Sequence, residues 1–136
     1  MESKQRVLTD WQLVDLESGH TVVEALELAD DYWSRLVGWQ LRRRPAAGHG
    51  LLLVPCSSIH TCLLRFALDL AMLDRDGRVI AVRKGIRPWR AILPTQRTYA
   101  ILELPSGGTE IRPEQTLRVS GPEGRPLPKS LRFLGG

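Results

Sequence analysis

The chain has 136 residues, a net charge of +4 and 43% apolar side chains. That length suits one domain, and that apolar content excludes a chain disordered throughout. There is no run of 18 apolar residues, which excludes a membrane-spanning helix as an expectation.

The opening residues "MESKQRVLTDWQ" lack the apolar stretch and small-residue cleavage site of a secretory signal, so the expected location is the cytoplasm. "DWQLVDL" (10–16) sets Trp11 and Leu13 against Gln12, Val14 and Leu16 in alternation, which predicts a strand. "ESGH" (17–20) is a turn, and "TVVEALELA" (21–29) reads as helix or as strand. Its β-branched start favours a hairpin partner for the first strand. "DDYWSRLVGWQLRRRP" is the best helix, expected at about 30–43. Asp30 or Asp31 can cap its start. Trp33, Leu36, Val37 and Leu41 fall on one stripe, Arg42, Arg43 and Arg44 suit the negative end of the helix dipole, and Pro45 ends it.

After the loop "AAGHG", strands are expected at 51–55, in "SSIHTCLL", and at 68–73. "DRDG" (74–77) is the clearest turn, with Asp-Gly placed for a hairpin into "RVIAVRKG" (78–85). "IRPWRAILPTQ" (86–96) carries two prolines and reads as an ordered loop; 98–104 and 114–120 complete the strands. One helix with about seven short strands points to a β-dominated α+β domain. Antiparallel hairpins are favoured, because the strand spacings leave little room for crossover helices. The domain is expected to cover 1–120, and the Gly- and Pro-rich residues 121–136 to form a flexible tail.

The order of motifs resembles the uncharacterised family catalogued as domain of unknown function 192. The matching blocks are Gly38 with Arg42 or Arg43, "GLLLVP", "SSIHT", "ALDLAMLDRDGRVIAV", "PWR" and "AILELPSGG", over about residues 22–120. The resemblance implies a compact, partly open, barrel-like single domain and supplies no reaction.

Both cysteines, Cys56 and Cys62, lie in "CSSIHTCLLRF" with His60. In an extended segment their Cα atoms stand about 20 Å apart, too far for a disulfide. His60 and Cys62 would share a strand face at about 6.8 Å. A zinc site then still needs donors from elsewhere, such as His20 or His49. No metal and no cofactor are therefore expected. A buried Asp69 in "FALDLAML" needs a partner, and Glu103 in "ILELP" raises the same question. If His60 met Asp69 or Glu103 in a cleft, the pair could serve a hydrolase-like enzyme as acid and base. The plainer reading is that both carboxylates anchor loops by accepting backbone hydrogen bonds.

From Arg78 to Arg97 there are six cations and no acid. Within the loop 83–97, Arg87 and Arg90 flank Trp89, a pairing of forked guanidinium donors with an aromatic face. A non-catalytic binding or accessory module follows as the favoured function. Arg87, Trp89 and Arg90, with Ser58 and His60 beside them, would take an anionic ligand or an acidic protein surface. A solvated loop is the bland alternative. No nucleic-acid-binding module signature is present, so nucleic acid is not the expected partner.

Overall fold

The computed structural model describes residues 6–8, 10–31, 34–35, 38–40, 42–61, 64–93 and 96–135. The runs "LLL", "LDLAML" and "AILELP" are apolar on both faces, the pattern of central strands covered on both sides. They become β5 (His49–Leu53), β7 (Leu68–Leu73) and β10 (Ala100–Pro105). With β1 (Arg6–Leu8), β4 (Ala25–Ala29) and β8 (Val79–Ile86) they form a six-stranded sheet in the order β1-β4-β5-β10-β7-β8. A second sheet joins β11 (Leu117–Ser120), β2 (Gln12–Asp15) and β3 (Thr21–Val23), and a two-stranded ribbon joins β6 (Ile59–His60) to β9 (Ala91–Ile92).

The two larger sheets enclose one core, which holds Leu13, Val23, Leu28, Leu52, Leu102 and Leu117. Backbone bonds between Val79 and the 114–115 segment stitch the sheets together at one corner. The result is a β-dominated α+β fold, a curled sheet that stays partly open and does not close into a barrel. A second core lies on the other face of the six-stranded sheet. There Trp39, Leu64 and Phe66, from segments that cross the sheet, cover Leu51, Leu70 and Ile101.

Three features differ from the sequence reading. First, β4 and β5 pair in parallel. Residues 30–48 supply the crossover such a pair needs, and their length exceeds the roughly dozen residues required. Second, the helix inside that crossover is shorter than 30–43. The cap is as expected, with Asp31 Oδ1 accepting the Ser34 N–H at 2.8 Å. Helical assignment covers residues 34–35 among those described, and Gly38, at φ +53°, turns the chain out of the helix. Trp33, Leu36, Val37 and Leu41 lie outside the described residues. Arg42 and Arg44 reach across the molecule, to Glu27 at 2.7 Å and to the Ser106 carbonyl at 2.6 Å, rather than sitting on a helix end. Third, the segment 121–136 finishes in a 3-10 helix (Lys129–Leu134) whose Leu131 and Leu134 are fully buried in the first core.

Candidate functional site

Two neighbouring features gather the chemistry of the chain. The first is the turn 87–90 that leads into β9. It is pinned by Thr61, which is fully buried. The Thr61 hydroxyl donates to the Arg87 carbonyl at 2.7 Å and accepts from the Arg90 N–H at 2.9 Å. Its backbone N–H donates to the Arg90 carbonyl at 2.8 Å, and its carbonyl accepts from the Trp89 N–H at 3.0 Å. This clamp holds Trp89 at φ +65°, a conformation that costs a non-glycine residue about 1 kcal/mol or more. The indole is 69% exposed and Leu93 is 78% exposed. Arg83, Lys84, Arg87 and Arg90 are also exposed. Lys84 reaches Glu110 at 4.0 Å. Among the described residues, no ion pair engages Arg83, Arg87 or Arg90. The sequence gives no sign that Thr61 anchors this turn, because its partners lie 26 and 29 residues away.

The second feature lies on the face of the six-stranded sheet that carries the second core. Glu27 and Glu103 both pair in register with Leu51, one from each neighbouring strand. Their side chains therefore rise from one row, about 10 Å apart. Gly38 and Trp39 close over them. A Cβ at Gly38 would stand 2.9 Å from Glu103 Oε1, on a backbone at φ +53° that favours glycine, so any other residue here is strained and must displace the carboxyl. Glu27 is fully partnered, by Trp39 Nε1 at 3.0 Å and Arg42 Nη1 at 2.7 Å. Glu103 is not. It is 4% exposed, and its Oε2 is buried with no hydrogen-bond partner among the described residues. Burial pushes the Glu103 carboxyl up to about 8; the Trp39 backbone N–H opposes that rise and the charge of Glu27 adds to it. At neutral pH Glu103 is therefore a neutral acid. It lines a cavity of about 60 Å³ together with Arg35, Gly38, Gln40, Ser58, Ile59 and His60. Gln40 Nε2 lies 3.5 Å from His60 Nδ1.

Asp69 stands apart from this group. It pairs with Leu104, the neighbour of Glu103, so the two carboxyls leave opposite faces of the sheet. Asp69 accepts from the Gly85 N–H at 2.8 Å and the Gly107 N–H at 3.1 Å. Gly85 has φ +65° and lies where β8 carries an extra residue against β7. Asp69 thus takes up an N–H that this bulge frees from the ladder. An acid–base trio of His60, Asp69 and Glu103 is not assembled; His60 and Glu103 share the cavity without Asp69.

Among the described residues of the cysteine segment, the strand is confined to Ile59–His60. Cys56 lies in an irregular stretch, where its thiol donates to the Ser58 carbonyl at 3.2 Å, and burial pushes the thiol up. Cys62 lies outside the described residues. Among those described, no three His, Cys, Asp or Glu side chains converge as a metal site. A wider cleft of about 840 Å³ opens between Asp15, His20, Glu24, Glu110 and Arg112. Most of its charged walls are exposed, and Asp15, its buried carboxylate, is already held by Gln115 at 2.9 Å. Among the described residues, no helix is long and apolar enough to cross a membrane.

Comparison with known proteins agrees with this architecture. The model of the domain of unknown function 192 family, described as Uncharacterized ACR, matches residues 14–119. A proposed transcription regulator from Sinorhizobium meliloti is similar in structure, with a TM-score of 0.70 and 22% identity over 88% of this chain and 96% of that one. A protein of unknown function from Novosphingobium aromaticivorans gives a TM-score of 0.65 and 20% identity over 79% and 82% of the two chains. Both likenesses are of fold. No curated protein matches the chain.

Proposed function

The chain belongs to the uncharacterised family of domain of unknown function 192; that membership brings a fold and no reaction, so we propose a function from the surface itself. The protein is a non-catalytic accessory module that binds an acidic protein surface through the loop 83–97. The observation that carries this reading is Trp89. A tryptophan held at positive φ by a buried threonine, 69% exposed, is ordered for something outside the chain. Arg87 and Arg90 beside it suit carboxylates, which they engage in a fork. Leu93 adds an apolar contact, and aromatic and arginine side chains are the usual anchors of interfaces. A protein surface fits these protruding groups better than a small enclosed ligand does, because Trp89 and Leu93 both stand out into solvent.

The test is fluorescence anisotropy with a labelled peptide rich in Glu and Leu. Binding is expected to weaken as salt rises. The Arg87→Ala, Arg90→Ala double variant should lose about tenfold in affinity, since exposed charges contribute up to about 1 kcal/mol each. Binding indifferent to salt and to the double change overturns the reading. Tighter binding of a double-stranded oligonucleotide than of the peptide overturns the choice of partner. The regulator from Sinorhizobium meliloti is too distant in sequence to decide that point.

Glu103, a protonated acid sharing a cavity with His60, also suits the acid–base pair of a hydrolase-like enzyme. That second reading needs a nucleophile or a positioned water near the pair. Among the described residues that line the cavity, Ser58 is the candidate nucleophile. Loss of a hydrolytic activity in both His60→Ala and Glu103→Gln would support it.

A further inference from the structure

We propose that the cavity at Glu103 is a receptor for a single carboxylate group, which binds together with a proton held between it and Glu103. The inference stands on the cavity's own residues and not on the loop 83–97.

Its floor is buried and polar. Glu103 lines it, and its Oε2 is buried without a hydrogen-bond partner among the described residues, an arrangement that native interiors rarely leave. Gly38 brings the backbone close to the carboxyl, where a Cβ would stand 2.9 Å from Oε1 and 3.4 Å from Oε2. The exposed Ser58 and His60 complete the lining and give access from solvent. The volume, about 60 Å³, is close to that of two waters at ~30 Å³ each, or of one carboxylate head.

Charge then selects the class of ligand. Arg35 lines the cavity as a guanidinium, one of whose N–H groups is used on the Pro55 carbonyl at 3.1 Å. Glu27, the nearest carboxylate on the same face, is neutralised by Arg42. Cys56 feels both Glu103 and Arg35, and its thiol is held protonated by burial. His60 and Gln40 face the same space. An ammonium ligand would therefore meet a guanidinium and a neutral acid. A carboxylate meets a cation, hydrogen-bond donors, and the O–H of Glu103, whose proton it can share as paired carboxyls do. Nothing is transferred beyond that shared proton.

The experiment titrates the intact protein with acetate, and separately with acetamide and methylammonium, at matched ionic strength. Amide and side-chain resonances of Gln40, His60 and Glu103 are followed by NMR. Acetate should perturb these resonances with a dissociation constant on the order of millimolar, as suits so small a ligand. Affinity should fall about tenfold per pH unit once Glu103 ionises. Glu103→Gln, which keeps a donor of the same shape, should retain acetate binding and lose that pH dependence. Preference for methylammonium, perturbation confined to the 87–93 loop, or an unchanged pH profile in Glu103→Gln each overturns the proposal. Failure here leaves the loop reading intact, because neither Arg87 nor Arg90 lines the cavity.

Discussion

Replacing Glu103 by glutamine changes one buried oxygen for an amide and leaves the shape. The consequence is a change in how stability depends on pH. In the folded protein this carboxyl is pushed from its ordinary 4.5 to about 8. Below about pH 4 both folded and unfolded chains hold the proton, and the group has no effect. As pH rises through the window from 4.5 to about 8, the unfolded chain releases its proton first, so it gains stability and the fold loses it. The loss amounts to about 3 kcal/mol at pH 7 and about 5 kcal/mol above pH 8. The Glu103→Gln variant carries no such term. Urea denaturation of both proteins across pH isolates it, because every other titrating group cancels in the difference. The variant should gain on the wild type by these amounts between about pH 4 and pH 9. Parallel stability profiles would refute the reasoning, since they would mean that Glu103 ionises in the fold as it does in water.

Other consequences follow from single contacts. Asp69→Ala leaves the Gly85 and Gly107 N–H groups without their acceptor and should cost about 2 kcal/mol by denaturant titration; an unchanged midpoint contradicts its anchoring role. Leu134→Ala should cost about 2–5 kcal/mol, the range for emptying a packed site, because that side chain is fully buried in the first core. A loss near zero would mean that the last residues are not part of the fold. Thr61→Val keeps the side-chain shape and removes the hydroxyl that holds Arg87 and Arg90. Hydrogen exchange at the Arg90 amide should accelerate by roughly tenfold or more, with global stability little changed.

Much of the sheet was legible because its strands are locally marked. β7 coincides with the expected 68–73, and the Asp-Gly turn at 74–77 carries the bonds of a tight turn, with Gly77 at φ +81°. What was not legible depends on distant partners. The 30–43 pattern has helical periodicity, yet Gly38 must leave the helix to approach Glu103, and Trp39 must turn its indole onto Glu27. Tertiary contacts of this kind override periodicity. The tail reads as loose by composition, since its two core leucines are spaced among prolines and glycines. At the candidate site the sequence marked Glu103, His60 and Trp89 as residues of interest. It could not separate Asp69 from Glu103, because only the strand register assigns them to opposite faces. Arg35 and Gln40 gave no signal and Gly38 stood out only as a block of the family resemblance, since they reach the cavity from a crossover 60 or more residues before Glu103.

The claim that the ordered, basic Trp89 turn is a docking surface is tested most directly by mapping. Amide shifts of the labelled protein are recorded as a Glu- and Leu-rich peptide is added at low salt. The account predicts perturbations centred on residues 87–93 and on Thr61, with the Trp89 indole N–H among the largest. Perturbations confined to the Asp15–Glu24–Arg112 cleft, or none anywhere, would contradict it.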